Sequence, residues 1–143
     1  MRKRTLSREI ALKILYASEI TGEPVDDAAR KFWENEVIEG DGVRTYAEML
    51  VSGVGSHLEE IDSAISRFAA NWEIGRMATI DRNIIRVAAF ELMFLDDIPP
   101  KVAMNEAIEI AKKYGDKDSG KFVNGILDRI SRPKIDAETD GDK

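Results

Sequence analysis

Residues 99–125 read PPKVAMNEAIEIAKKYGDKDSGKFVNG, a pattern of two helices joined by a short charged loop. Pro100 suits the first turn of a helix, where a missing backbone N–H is harmless. Apolar residues then recur every three or four positions until Gly115 provides a stop. A second helix is predicted from about Asp118 to Ile130. This segment therefore predicts helices packed against one another.

The same helical spacing recurs upstream, and no segment alternates apolar and polar residues as a half-buried strand would. The longest periodic run covers residues 43–68, about seven turns of helix. It contains Gly53 and Gly55, and close approach of a neighbouring helix is the usual reason for such glycines. His57 would lie in the middle of this helix, as a half-buried packing residue.

These patterns predict an all-α fold of six to seven helices in a single compact domain at residues 1–132. A break at residues 71–77 divides the periodic segments, so we expect two packed helical sub-bundles at about 1–72 and 78–132. Pro133 is expected to end the last helix. Residues 133–143 have little apolar content and an acidic bias, and we predict a disordered tail there.

The composition limits the classes of function. The chain has 143 residues, no cysteine and one histidine, which excludes disulfide frameworks, thiolate metal sites and cysteine nucleophiles. No apolar run approaches the roughly 20 residues that span a bilayer. We therefore expect a cytoplasmic protein that does not bind membranes and needs no metal ion or cofactor.

Residues 115–121 match the first seven positions of a P-loop, but the match fails. Phe122 replaces the hydroxyl residue that would hold Mg²⁺, and a helix rather than a strand precedes the first glycine. Acidic residues at 116 and 118 would also face the phosphates. No other catalytic constellation occurs, so we predict that the protein is not an enzyme.

Positive charge is concentrated in a basic arm at residues 1–13, although the whole chain carries a net charge of −6. Single-stranded RNA requires cations for its phosphates and flat side chains on which bases stack. Core packing explains Tyr16 equally well and Phe122 better, if only the spacing is considered. The candidate RNA contacts are Arg2, Lys3, Arg4, Arg8, Tyr16, Lys121 and Phe122.

Several short motifs, in a fixed order, are similar to those of one protein family. They comprise an opening with Arg4, Arg8, Ala11, Leu15 and Tyr16, a central segment at residues 80–92, and segments at 99–102, 105–107 and 121–125. Over residues 2–131 the sequence resembles the NusB family of bacterial transcription antitermination factors. One departure is Thr5-Leu6-Ser7, where the family opening often has more arginine; Arg2 and Lys3 would compensate.

The resemblance implies a non-catalytic protein that pairs with NusE, a ribosomal protein, and binds the boxA element of ribosomal RNA transcripts. That complex joins RNA polymerase and suppresses premature termination. By position, the resemblance places Arg4, Arg8, Tyr16, Lys121 and Phe122 at or near the RNA, with Arg86 as a weaker candidate. Asp81 falls where the family presents an acidic group to NusE, although an acid in a first helical turn is also favoured by the helix dipole.

Two other functions stay open at the level of sequence. The chain could be an RNA-independent helical adaptor, as a monomer or a homodimer, with an incidental basic arm. It could also be an accessory module for ribosomal RNA maturation, because NusB-like domains occur fused to ribosomal RNA methyltransferases. A separate hypothesis is that the acidic tail competes with RNA for the basic arm, so that deleting residues 134–143 raises RNA affinity at low salt.

Overall fold

A computed structural model describes residues 2–69 and 73–141, without the side chains of residues 138–141. Seven α-helices and one short 3₁₀ turn, Ile74–Arg76, occupy these ranges, in which no strand occurs. The predicted all-α class is confirmed. The helices are α1 (Lys3–Thr21), α2 (Val25–Asn35), α3 (Val43–Ser56), α4 (Leu58–Phe68), α5 (Thr79–Phe94), α6 (Pro100–Tyr114) and α7 (Ser119–Gly141).

Local sequence signals explain several helix ends. α1 ends at Gly22, whose φ of 78° lies in the left-handed region that favours glycine. α2 follows Pro24 and carries Asp26 and Asp27 in its first turn, where negative charge is favourable. α6 begins at Pro100, as its sequence predicts. No helix within the described residues is long and apolar enough to cross a membrane.

The predicted single helix over residues 43–68 is wrong, because the chain turns at His57 between α3 and α4. The His57 backbone (φ −117°, ψ 22°) leaves the helical region. Its ring stacks on Phe94 with centroids 4.0 Å apart and lies 6.2 Å from Phe90. His57 is therefore a packing residue, as predicted, but it packs at a helix boundary rather than inside a helix.

α1 and α5 form the centre of the molecule. α1 packs against α2, α3 and α5, whereas α5 also packs against α4, α6 and α7. The buried apolar residues form one core cluster. The division into two sub-bundles stays a prediction, and residues 70–72 of the predicted break lie outside the described residues. The largest fully buried apolar side chains are Ile10, Ile14, Val43, Leu50, Val54, Ile61, Ile65, Ile85, Val123 and Leu127.

α7 continues through Pro133 to Gly141, so the prediction that Pro133 ends the helix is wrong. Residues 133–141, predicted as a disordered tail, are helical, and residues 142–143 lie outside the described part of the chain. A proline removes one backbone hydrogen bond from a helix. Contacts on either side hold the helix here. The Ser131 hydroxyl donates to the Asp128 carbonyl, and Lys134 Nζ donates to the Leu95 carbonyl at 2.9 Å.

Candidate nucleic-acid interface

The first turn of α1 presents two cations, Lys3 and Arg4, that have no acidic partner in the described part of the chain. Lys3 and Arg4 are exposed, and no described carboxylate lies within ion-pair distance of either side chain. The Arg4 guanidinium lies 4.6 Å from the centroid of the Tyr46 ring on α3. Together these residues line a cleft between the starts of α1 and α3, which also includes Asp41. Both cations are available to an anionic ligand.

Arg2 belongs to the same turn but is already paired. Its guanidinium lies 3.0 Å from Glu106 Oε1 on α6, although the Arg2 side chain is 84% exposed. A phosphate would have to compete with this carboxylate for Arg2. Of the three predicted cations in this turn, Arg2 is therefore paired with a carboxylate, whereas Lys3 and Arg4 have no acidic partner among the described residues.

Arg8 does not lie on the surface, contrary to its prediction as an RNA contact. Its side chain is 4% exposed and donates to both carboxylate oxygens of Glu91 at 2.8–3.1 Å. Burial acts to lower the pKa of Arg8, but the hydrogen bonds and charge of Glu91 outweigh burial and raise it. Arg8 therefore remains charged and joins α1 to α5 inside the molecule.

Tyr46 completes this interior network, although its sequence context gave no sign of the role. Its hydroxyl donates to Glu91 Oε2 at 2.5 Å, while its ring faces Arg4 and Arg8. Burial, followed by the hydrogen bond and charge of Glu91, raises the pKa of Tyr46. The hydroxyl thus stays protonated and fixes the ring beneath Arg4. The sequence signal for a buried polar network was instead on α5, where Glu91 lies among buried apolar residues.

The middle of α1 presents a second surface, around Tyr16. Glu9, Lys13 and Tyr16 share one helix face because they are three and four residues apart. Glu9 is buried, accepts a hydrogen bond from the Tyr114 hydroxyl at 2.6 Å and forms an ion pair with Lys113 Nζ at 2.7 Å. Lys13 Nζ lies 6.0 Å from the Tyr114 ring centroid. These contacts place the face of Tyr16 beside the end of α6.

Tyr16 itself is 37% exposed, so it is not a plain core residue. The sequence prediction omitted Lys13 and Lys113, which are both exposed and flank the Tyr114 ring. The spacing of Lys13 and Tyr16 on α1 was a usable signal. The contact of Lys13 with Tyr114 could not be predicted from the sequence, because it joins residues about a hundred positions apart.

Lys121 and Phe122 lie in the first turn of α7, directly after the loop that follows α6. Lys121 is exposed, whereas Phe122 is half-buried and packs partly against the core. The loop is held by the Asp116 N–H, which donates to Ser119 Oγ, and by the Asp118 N–H, which donates to Asp116 Oδ1. This loop fixes where the two predicted RNA residues emerge.

Asp81 lines the same cleft as Phe122, at the start of α5. The cleft also includes Arg76, Met77, Asp116 and Ser119. Asp81 is 8% exposed, and no described group donates to its Oδ1 atom. Burial raises the pKa of Asp81, and Asp116 adds to this rise although Ser119 opposes it. Asp81 is thus a buried carboxylate without its full set of partners.

The Arg86 guanidinium forms ion pairs with carboxylates on two other helices. Its Nη1 atom lies 2.6 Å from Glu19 on α1, and its Nε atom lies 2.9 Å from Asp62 on α4. Arg82 also binds Glu19. Burial acts to raise the pKa of Glu19, but these two arginines outweigh it and lower the pKa. The structure therefore gives Arg86 a role in joining helices, and nothing supports its prediction as an RNA contact.

Comparison with known families supplies the identification. The family model described as "NusB family" matches residues 5–132. The chain belongs to the NusB family. Named relatives agree with this assignment. The transcription antitermination protein NusB of Trichlorobacter lovleyi is 51% identical over 138 residues, which are 96% of each chain. That of Syntrophus aciditrophicus is 45% identical over 91% of this chain and 80% of its own length.

Solved NusB structures share the fold. The NusB of T. maritima is 38% identical, with a TM-score of 0.82 over 92% of both chains. A second structure contains the antitermination factors NusB and NusE in complex with double-stranded RNA. It is 33% identical to this chain, with a TM-score of 0.84 over 93% of this chain and 98% of that one. The NusB fold is therefore shared over nearly the whole chain.

In this NusB family member, burial and pairing separate the predicted residues into two sets. Exposed side chains with no acidic partner among the described residues are Lys3, Arg4 and Lys121, with exposed Tyr16 beside Lys13. Arg2, Arg8 and Arg86 are held by carboxylates. The first set is available to a ligand, and the second mainly stabilises the fold.

Proposed function

We propose that this chain is a non-catalytic transcription antitermination factor that binds boxA of ribosomal RNA transcripts together with NusE. The observation that carries the proposal is a group of exposed cations on α1 and α7 that have no acidic partner among the described residues and lie beside exposed or half-buried aromatic rings. The named relatives and the solved complex of NusB, NusE and RNA support the same function. Since its RNA target is a nascent transcript, the protein would act in the cytoplasm and join RNA polymerase there.

The proposed RNA surface combines charge and stacking. Lys3, Arg4 and Lys121 would neutralise phosphates, and Lys13 would add to them beside Tyr16. Tyr16 and Phe122 offer faces on which unpaired bases can stack. Arg8 and Arg86 are left out of the direct contacts because their charges are already matched by Glu91, Glu19 and Asp62 in the interior or at helix junctions.

The proposed NusE contact is the cleft that contains Asp81. Three acids, Asp81, Asp116 and Asp118, share this cleft with one cation, Arg76. The excess of negative charge and the unpartnered Asp81 Oδ1 atom favour a cationic side chain from a protein partner. Such a side chain would supply the missing donor to Asp81 Oδ1. NusE is named as that partner on the family resemblance and on the solved complex.

Binding of labelled boxA RNA tests the function directly. Fluorescence anisotropy would be measured against a scrambled RNA at two salt concentrations, with and without purified NusE. We expect preference for boxA, stronger with NusE, and weakening with salt by a slope of about −0.7 per phosphate contacted. Equal binding to both RNAs that salt abolishes and NusE does not affect would favour the adaptor function instead.

Two substitutions in α7 locate the surface. Lys121→Ala should weaken binding and make the salt slope shallower by about 0.7, as loss of one phosphate contact requires. Phe122→Ala should cost roughly 1–3 kcal/mol of binding if the ring stacks on a base. Lys112→Ala is a matched control, because Lys112 is exposed but paired with Glu109. If Phe122→Ala mainly lowered thermal stability, the ring would be a core residue.

A further inference from the structure

The first turn of α1 lacks local stabilisation. Its N-cap residue, Arg2, makes no side-chain capping bond, and the turn contains no acidic residue. Arg2, Lys3 and Arg4 instead place three positive charges at the positive end of the helix dipole, where cations are unfavourable. The turn is nevertheless closed, since the Leu6 N–H donates to the Arg2 carbonyl at 3.1 Å. A group outside the turn must therefore stabilise it against this unfavourable charge.

Glu106 of α6 provides the missing negative charge. Its side chain is 7% exposed, and its carboxylate accepts a hydrogen bond from the Thr5 hydroxyl, whose oxygen lies 2.9 Å from each carboxylate oxygen. The Arg2 guanidinium lies 3.0 Å from Oε1, and Arg8 Nη1 lies 3.6 Å from the same atom. One carboxylate from a distant part of the chain therefore contacts three side chains of the opening turns of α1.

The charges in this group balance. Arg8 is matched by Glu91, and Arg2 by Glu106, so two guanidinium groups face two carboxylates. Lys3 and Arg4 lie between them in sequence and keep their charges for a ligand. We propose that Glu106 is a positioning residue that orders the basic first turn of α1 before RNA arrives, so that Lys3 and Arg4 are presented on a preformed helix.

The proposal rests on the proposed function only for its consequence in RNA binding. A preformed helical turn spares the ligand the entropic cost of ordering it, which is the general benefit of preorganisation. The ordering itself is a property of the RNA-free chain. It can therefore be measured without RNA.

Backbone amide exchange in the full-length, RNA-free protein is the first test. In Glu106→Gln the Leu6 and Ser7 amides should exchange about tenfold faster than in the parent, since the turn opens locally more often. Glu109→Gln is the matched control, because Glu109 is exposed on the same helix and pairs with Lys112, not with α1, in the described part of the chain. Unchanged exchange in Glu106→Gln would overturn the proposal.

Thr5→Val provides a second variant in case loss of the buried charge prevents folding. It removes the hydroxyl that Glu106 accepts and leaves the carboxylate and both arginines in place. We expect a smaller acceleration of exchange, confined to the same two amides. Exchange identical to the parent in this variant as well would contradict a positioning role for the Thr5–Glu106 contact.

RNA affinity distinguishes two possible effects of Glu106, which are ordering the first turn of α1 and withholding Arg2 from RNA. Glu106→Gln should weaken boxA binding by about 3- to 10-fold, since the ordering cost is then part of binding. Tighter binding would show that Glu106 withholds Arg2 from RNA, and would overturn the proposal. If the parent bound no boxA, the proposed function would fail, while the exchange result would still decide whether Glu106 orders the turn.

Discussion

Asp81 illustrates how a single side chain can favour binding at a cost to folding. Its carboxylate is 8% exposed, and one oxygen has no donor among the described residues. A buried polar group without a partner destabilises the folded state by about 1–3 kcal/mol. The same deficit makes the group receptive to a partner's donor. Stability and recognition therefore oppose each other at this residue.

Asp81→Asn should raise the stability of the free protein at pH 7 by about 1 kcal/mol, because it removes the desolvated charge. The midpoint of thermal unfolding would rise by roughly 3 °C. The pKa of Asp81 is higher in the folded than in the unfolded chain, so its ionisation destabilises the fold. The gain should therefore be full above the folded-state pKa and disappear as the pH falls towards the ordinary value of 3.8.

Thermal unfolding of Asp81→Asn across pH 3–7 would check this, with Asp97→Asn as an exposed control. A loss of stability at pH 7 would mean that Asp81 makes a favourable interaction in the folded chain. The same variant should bind NusE more weakly if Asp81 receives a cation from it. Greater stability combined with weaker partner binding is the expected signature.

The sequence could not separate the arginines by function. Arg4 and Arg8 lie one turn apart on α1 and look equivalent in the pattern. Their fates differ because Glu91, 83 residues away, reaches only Arg8. A partner at that separation becomes visible only once α1 and α5 are packed. The sequence predicted the basic arm as a whole but not which of its charges are free.

Among the helices, α3 shows most directly how one small residue sets a packing distance. A Cβ atom added at Gly53 would lie 2.2 Å from the Phe90 ring of α5, far inside van der Waals contact. At Gly55 the same addition would meet nothing within 4 Å. The sequence predicted close helix approach for both glycines, and the structure supports it for Gly53 alone.

Substitution of the two glycines should therefore have opposite effects. Gly53→Ala should destabilise the protein by about 1–3 kcal/mol through overpacking against Phe90. Gly55→Ala should stabilise it by about 0.5–1 kcal/mol, because alanine loses less backbone entropy in a helix. Urea unfolding of both variants measures the difference. Equal effects would show that α3 and α5 can move apart without cost.

The helix boundaries were the least predictable elements. The apolar spacing continues from Val54 through Leu58 to Ile61, so nothing in the period marks the turn at His57. The stacking on Phe94 that accompanies the turn involves a residue from another helix. At Pro133 the local rule predicted an end, but Lys134 is held by a carbonyl at the end of α5. Tertiary contacts overrode local preference at both positions.

At the level of the whole molecule, charge is unevenly distributed between the ends of the chain. The start carries the basic turn of α1, and the acidic segment follows Pro133 as the end of α7. The fold class was predictable, because helical periodicity is a local property, and so was the clustering of cations at the start of α1, which is the basis of the proposed RNA surface. The burial of each side chain could not be predicted from the sequence, since it depends on which helices pack together.

Deleting residues 136–143 tests whether the acidic end of α7 affects RNA binding. If it repels RNA or competes for Lys3 and Arg4, the truncated protein should bind boxA several-fold more tightly at low salt, and equally at high salt. Retaining Lys134 preserves its bond to the Leu95 carbonyl. Anisotropy titrations of both proteins at two salt concentrations provide the measurement, and unchanged affinity at low salt would dismiss the hypothesis.

The cleft shared by Asp81 and Phe122 has a consequence for how the two proposed ligands influence each other. If NusE occupies the Asp81 side and a base occupies the Phe122 side, each alters the surroundings of the other. Thermodynamic reciprocity then requires that NusE and RNA change each other's affinity by the same factor. If this factor increases both affinities, the protein would bind strongly only when the ribosomal protein and the transcript are present together.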